Sequence, residues 1–394
     1  MNAIITGAGI AGPAMAIALK RLGMGVTLYE AREDNEMGGG VFLGLTPNGL
    51  NILKAFIDTG LLRNHYTAGT MEFYNARNKC IGRLDTRDQA RKYGAETIQV
   101  KRARVGELLR QEAAREGIDI RYGHRLRCLR ERAGGVEASF DNGHSHAAAF
   151  LIACDGIHSA CRSALFPEAQ KPVYTQQIST GAMMRLNGPQ LPFGAIKMTF
   201  GQRGFFACAA SNQGEVWWFS NFHREKEPDK NEIHAALQKE IKAQLLEIHQ
   251  NDPAHIPEII RQTGEMFAYP VYEMPLLPRW HSRRVCLIGD AAHATAPHTG
   301  QGASLALEDV IVLSQCLNSS PNTAEAFARF QQARKPRVEK IVKQARKVGS
   351  AKSKPNPIAT FFRDLMLRHF IRFEKKKMDW VYRYQPDGME IPGN

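Results

Sequence analysis

The sequence predicts an α/β fold in which a mostly parallel sheet is interleaved along the chain with a second, mixed or antiparallel sheet and is followed by C-terminal helices. Three observations predict it. Strand, glycine-rich turn and helix succeed one another at residues 3–22, with a second strand at 26–30, which is a βαβ opening. The block 173–224 instead alternates and is rich in aromatic and small residues, as in Gly204-Phe205-Phe206-Ala207 and Val216-Trp217-Trp218-Phe219. Such strands suit a sheet with one face turned to a pocket. The apolar run Val285–Ile288 then enters another glycine-rich turn, Gly289–Gly302, that opens a helix near Ala303.

The remaining elements follow from the same signals. Residues 44–62 read as a turn into a helix, and 71–85 and 96–100 as short strands. Val105, Leu108, Leu109 and Ala113 share one face of a helix over 103–116. Short strands punctuated by Gly134-Gly135 and Asp141-Asn142-Gly143 reach residue 150, where Phe150–Ala153 is a further strand. A helix is expected over 231–249, an extended return over 269–278, and helices over 303–317, 322–348 and 358–373. The chain thus divides into a discontinuous unit (1–70, 100–170, 270–345), a second unit (71–99, 171–269) and a helical extension (346–394).

At 394 residues the chain can bury a large core, and 43% hydrophobic with 23% charged residues is ordinary globular composition. No apolar run approaches the roughly 18 residues of a membrane span, and the N-terminus enters a strand directly. Seven scattered cysteines without a C-x-x-C pair suggest reduced thiols in the cytoplasm, with no disulfide framework and no metal site. Of the net charge of +13, residues 334–377 carry +12, from fifteen Lys/Arg against three acids. That segment reads as a solvated helix face or as a peripheral contact to an anionic surface. No aromatic-interleaved basic patch accompanies it, so nucleic acid is not an expected partner. Oligomeric state is not legible.

Gly7-Ala8-Gly9-Ile10-Ala11-Gly12 is a G-x-G-x-x-G between a strand and a helix. Its first glycine permits the turn, its second admits a pyrophosphate to the backbone, and its third lets helix pack on strand. Glu30, closing the second strand, can accept from both hydroxyls of an adenosine ribose and disfavours a 2′-phosphate, which favours FAD or NAD over NADP. The third turn aims backbone N–H groups and a helix dipole at an anionic or electron-rich ligand, with Asp290 offering a carboxylate.

Between these lies Asp155-Gly156…Ser159…Arg162 at the end of the strand Phe150–Ala153. Gly7–Gly12 with Glu30, then Asp155-Gly156…Arg162, then Gly289-Asp290…Pro297…Gly300-Gln301-Gly302 occur in this order along the chain. From Met1 to about residue 345 the sequence resembles the single-component FAD-dependent monooxygenases of the p-hydroxybenzoate hydroxylase type. The resemblance implies a Rossmann-like FAD-binding domain interleaved with a substrate domain. It implies non-covalent FAD, NADH or NADPH as transient co-substrate, and insertion of one oxygen atom from O2 into an aromatic or polycyclic molecule via a C4a-(hydro)peroxyflavin.

It also implies roles by position. Gly9, Ile10 and Ala11 would hold the FAD pyrophosphate, and Glu30 with Ala31 the ribose side. Gly40 and Val41 match the loop passing the flavin; Arg102, with Arg104 as competitor, matches an arginine beside ribityl and pyrophosphate. Asp155 would serve FAD and the nicotinamide, and Asp290 the ribityl or pyrophosphate, with Pro297 near the reactive edge. N–H groups around Gly300, Gly302 and Ala303 would stabilise negative charge on the reduced ring. Phe42 and Leu43 stand where some aryl hydroxylases carry a proton-handling side chain, so no catalytic acid or base is assigned.

For the substrate, Met183, Arg185, Phe206 and Trp217 are the candidates. Trp217 and Trp218 face opposite sides of a strand, so at most one lines a pocket, and Arg185 serves either an acidic substrate or a surface acid. His293 and His298 read as packing within the turn at least as well as proton carriers. The sequence leaves other functions open: a flavin epoxidase or hydroxylase of an isoprenoid or quinone-type substrate at a membrane, or an interaction protein acting through its basic segment. A halogenase or reductase also remains, without the Trp-x-Trp-x-Ile-Pro of tryptophan-type halogenases.

Overall fold

The computed structural model describes residues 1–34, 42–62, 66–67, 69–187, 191, 193–211, 213–228, 235–295, 300–350 and 378–386. The chain opens with β1 (Asn2–Thr6), α1 (Ala11–Arg21), β2 (Gly25–Tyr29), β3 (Phe42–Leu45) and α2 (Pro47–Leu53). Next come β4 (Tyr66–Thr67), β5 (Thr70–Asn75), β6 (Cys80–Asp85), α3 (Gln89–Tyr93), β7 (Ile98–Lys101) and α4 (Arg102–Arg115). Then follow β8 (Asp119–Arg121), β9 (Leu126–Arg132), β10 (Gly135–Phe140), β11 (Ser145–Ala148), β12 (Phe150–Ala153) and α5 (Ala160–Leu165). The aromatic block forms β13 (Val173–Arg185), β14 (Ala195–Phe200), β15 (Gly204–Ala210) and β16 (Glu215–His223), followed by α6 (Ala235–Ile248), α7 (His255–Gln262) and β17 (Phe267–Glu273). The chain returns through β18 (Val285–Leu287) and α8 (Asp290–His293) to α9 (Gly302–Ser319), α10 (Thr323–Ser350) and a short α11 (Asp379–Tyr382).

Two sheets matter for function. The first has the order β18-β12-β1-β2-β8, with every pairing parallel. Helices flank it, and its central strands β12 and β1 are buried except at Asn2, as crossover-connected parallel strands must be. The second has the order β17-β13-β16-β15-β14-β5-β6 and is mixed, because β14 and β5 run parallel while the other neighbours are antiparallel. It draws strands from both flanks of α4 in the sequence, so the chain weaves between the two sheets.

The second sheet is covered behind by α6 and α7. Helix α7 was not legible from periodicity alone, being short and carrying Pro257, yet Pro257 sits in the first turn, where no N–H is missed. Ile256, Ile259 and Ile260 then form one buried face at i, i+3, i+4. They pack with Trp218, Phe206 and Leu245 in a core separate from that of the parallel sheet. All seven cysteines are free thiols. Among the described residues no helix is long and apolar enough to cross a membrane.

The basic segment is partly accounted for inside the fold. Arg334 is fully buried and Arg337 nearly so, both paired to Glu308, while Lys335 pairs with Glu339 and Arg346 with Glu273. The expected helix at 358–373 lies outside the described residues.

Candidate active site

Parallel register brings the three sequence motifs to one edge. Thr6 is level with Ala153, and Ala153 with Leu287, so the turns after β1, β12 and β18 emerge side by side at the carboxyl ends of their strands. That edge is where open α/β sheets bind ligands.

In the first turn Gly7 has φ +92°, and a Cβ there would press on the Cys154 carbonyl. A Cβ on Gly12 would drive into the Gly7 carbonyl oxygen. These two glycines let the elements close up. Gly9 differs: a Cβ there meets nothing within 4 Å, and the residue borders a cavity. Glu30 accepts from Ala8 N–H at 2.7 Å and Arg32 N–H at 3.0 Å, tying the turn to the end of β2.

The second turn is a clamp. Asp155 Oδ2 accepts from Cys161 N–H at 3.0 Å, while its Oδ1 is buried with no partner. Burial raises its carboxyl above the usual aspartate range, with the Cys161 N–H pulling the other way. Arg162 is buried and donates to the carbonyls of Ile157 at 2.6 Å and Ala291 at 3.0 Å, joining the second turn to the third.

The third turn rests on a buried ionic network. Asp309 Oδ2 accepts from Gly289 N–H at 2.9 Å and meets His293 Nε2 at 2.6 Å; Oδ1 accepts from Arg334 Nε at 2.7 Å. Burial alone would raise the Asp309 carboxyl, but His293 and Arg334 outweigh it and hold it below the usual range. Glu308 takes Arg334, Arg337 and Asn48, and Thr46 links Gln301 to Ser304 at the start of α9. His293 is therefore a structural ligand of Asp309.

A cavity of about 530 Å³ joins this edge to the second sheet. Of the sequence candidates, Gly9, Ile10, Ala11, Arg102, Asp290, Gly300, Gly302, Ala303 and Trp217 line it. Gly7, Gly12, Glu30, Ala31, Asp155 and Gly289 are not among its lining residues. Arg102 rather than Arg104 faces the cavity, since Arg104 lies outside, paired with Glu107 at 3.0 Å. Gly40, Val41, Pro297 and His298 lie outside the described residues.

Three substrate candidates are displaced. Phe206 packs on the opposite face, stacked on Trp218 with centroids 5.4 Å apart, because its register differs by one residue from that of Phe205, which does line the cavity. Met183 lies beside Trp217 in a small apolar cluster without lining the cavity, and Arg185 ends its strand exposed. Residues missed from the sequence are Ser179, Phe219, Asn221, Phe267 and Tyr269. The signal for two of them was the alternation Trp217, Phe219, Asn221, which needed only the choice of face. Phe42 packs against Trp217 at 5.1 Å between centroids and lines the cavity with Leu43. Met378 and Tyr382 of the C-terminal segment close another side.

One arrangement has the geometry of a hydrolytic triad: Ser220 Oγ to His249 Nε2 at 3.0 Å, and His249 Nδ1 to Asp252 at 2.8 Å. Ser220 and His249 are fully buried behind the second sheet, where no substrate reaches. The triad fastens α6 to β16, and a nucleophile needs access it does not have.

Comparison with known proteins agrees with this geometry. The FAD binding domain family matches residues 1–345. The chain is 24% identical to the aurachin C monooxygenase/isomerase of Stigmatella aurantiaca, covering 93% of this chain and 94% of that one. It is 25% identical to the 3-hydroxybenzoate 6-hydroxylase of Klebsiella oxytoca, covering 98% of each. Its fold matches the crystal structure of Klebsiella pneumoniae HpxO complexed with FAD and uric acid, with a TM-score of 0.86 at 21% identity over 97% of this chain and 96% of that one. The chain belongs to the FAD binding domain family, among its single-component FAD-dependent monooxygenases of the aromatic hydroxylase type.

Proposed function

We propose that the cavity takes FAD along the ends of β1, β12 and β18 and an aromatic or polycyclic small molecule against the second sheet. One oxygen atom from O2 enters that molecule, with NADH or NADPH as transient reductant. A single observation carries this reading: one continuous cavity is lined by Gly9, Arg102 and Asp290 on one side and by Trp217, Phe219 and Phe267 on the other.

The residues present suit the cofactor. Open space at Gly9 and the uncapped start of α1 offer backbone N–H groups and a positive dipole end to a pyrophosphate. Arg102 adds a cation at the cavity wall, while Glu30 at the ribose and Asp155 on the FAD side, neither of which lines the cavity, are supported by the family resemblance. Asp290 would accept from ribityl hydroxyls, and the first turn of α9, from Gly302 and Ala303, would offer a positive dipole end to an electron-rich ring. By resemblance Gly40, Val41 and Pro297 complete the set. Bound FAD supplies two-electron redox chemistry and activation of O2. The chain's own task is to orient substrate on the aromatic sheet and keep water out.

The purified protein is expected to be yellow and to release FAD on denaturation. Substrates should accelerate NAD(P)H oxidation and appear with one 18O atom after turnover under 18O2. A colourless protein that takes up no FAD overturns the reading, and NAD(P)H oxidation yielding only hydrogen peroxide with every compound tested overturns its oxygenase part.

A further inference from the structure

The cavity face of the second sheet is organised in transverse rows. Tyr269, Ser179, Asn221 and Phe205 are register partners on four neighbouring strands. The next row is Phe267, Gly181, Phe219 and Ala207, and the one beyond it holds Met183, Trp217 and Ala209. In the second row an added Cβ on Gly181 would meet Phe267 Cζ at 2.7 Å, so a phenyl ring covers that position. One row is polar and the others are aromatic or aliphatic. Asn221 and Trp217 are four residues apart on one strand, about 13 Å, which exceeds a single ring.

Asn221 is 9% exposed, lines the cavity, and its Oδ1 has no hydrogen-bond partner. A buried amide oxygen left unpaired is costly, and an O–H or N–H donor on a ligand removes that cost. Tyr269 and Ser179 in the same row are joined to each other, and burial raises the Tyr269 hydroxyl, so both stay neutral. Charge points the same way. Arg102 is the one cation among the described lining residues, against Asp88 and Asp290, with Asp85 also on the lining but paired to Arg87, and the functional reading already commits Arg102 to the cofactor.

We propose that this cavity selects a neutral fused-ring arene that presents an O–H or N–H donor to Asn221, and that it disfavours arene carboxylates. This rests on the monooxygenase reading above. Asn221 is then the specificity-determining residue, supplying a hydrogen-bond acceptor where a carboxylate-binding site would supply a cation.

The test is calorimetric titration of the FAD-loaded protein with 2-naphthol, 2-methoxynaphthalene and 2-naphthoate, which share one bicyclic body. 2-Naphthol is expected to bind about tenfold more tightly than the methyl ether, the worth of one hydrogen bond, and 2-naphthoate more weakly than either. N221L should bring naphthol and ether to within about twofold while keeping affinity for the ether. Equal binding of naphthol and ether to the unaltered protein overturns the proposal, as does tightest binding of 2-naphthoate. So does an N221L protein that weakens all three alike. If N221L does not fold, the trio with the unaltered protein decides. Flavin content is measured first: a colourless protein defeats the functional reading, whereas a yellow protein without the naphthol preference defeats only this inference.

Discussion

The turn that follows β18 and the sheet face that carries Trp217 border the same cavity, yet they are held in opposite ways. Behind the turn lie Glu308, Asp309 and Arg334, all fully buried, with His293 and Arg337 attached. Behind the sheet lie Trp218, Phe206 and the isoleucines of α7, held by apolar packing. A backbone that must present N–H groups at one place needs directional anchors, because an ionic pair fixes geometry that dispersion does not. A wall that must accept a ring needs area, which burial supplies at about 1.5–3 kcal/mol per large side chain.

The largest effect expected from that contrast is at Arg334. Arg334→Leu leaves two carboxylates buried without their shared cation, and about 3–5 kcal/mol of unfolding free energy should be lost. Chemical denaturation measures it. Adding Asp309→Asn to Arg334→Leu should return part of the loss by removing one of the two negative charges that shared Arg334, while Glu308 keeps Arg337 and Asn48. If Arg334→Leu is neutral, the network is ornamental and the contrast fails.

Next in size is a pair of glycines within one turn. Gly9→Val occupies open space beside the cavity, so the fold should persist while FAD affinity falls at least about tenfold through lost charge-assisted contacts. Gly12→Val meets the Gly7 carbonyl and should instead lower the yield of folded protein. Flavin content and thermal midpoint separate the two. Equal flavin retention in Gly9→Val and the unaltered protein would move the cofactor away from α1.

These cases also show why parts of the molecule were readable from sequence. The three turns are local: each glycine or acid acts within a few residues of its strand, so order and spacing led to Gly9 and Asp290 on one cavity, whereas Arg102 came from the family resemblance alone. The sheet face depends on register, in which a shift of one residue exchanges the two sides. Phe206 and Phe205 differ by that single step, and both faces here are apolar, so composition could not choose between them. The ionic network was equally hidden, because its partners are separated by up to 260 residues, as in Asn48 to Glu308. A basic run in the sequence could not reveal that Arg334 points inward.

The faces of the sheet can be separated by a smaller pair of substitutions. Phe206→Leu behind the sheet should cost about 1 kcal/mol of stability and leave arene binding unchanged. Trp217→Phe on the cavity side should alter arene affinity severalfold through lost ring contact, which is worth about 0.5–1.5 kcal/mol. Binding that responds to Phe206 and ignores Trp217 would reverse the faces.

The smallest expected effect concerns acid. Burial pushes the His255 imidazole, at the start of α7, down to about 4, and the Lys197 ammonium adds to the push. Its Nε2 has no partner, unlike His293, which meets Asp309. A depressed histidine leaves the unfolded chain to bind protons first, so stability holds above about 6.5 and declines as pH falls from there toward about 4. Because His255 is partly open to solvent, the loss should be near 1 kcal/mol rather than the full amount the shift implies. Asp309 has the same sign in a lower window: its carboxyl is held low, so its contribution is whole above the usual aspartate value and is lost only as pH falls below that. Between pH 6.5 and 4, amide exchange should therefore quicken first in α7 and the strands it covers, while β18 and α9 stay protected. His255→Gln should flatten that early loss. Exchange that opens first around Gly289, with α7 still closed, would place the acid-sensitive half of the molecule on the cofactor side and break the comparison at its weakest point.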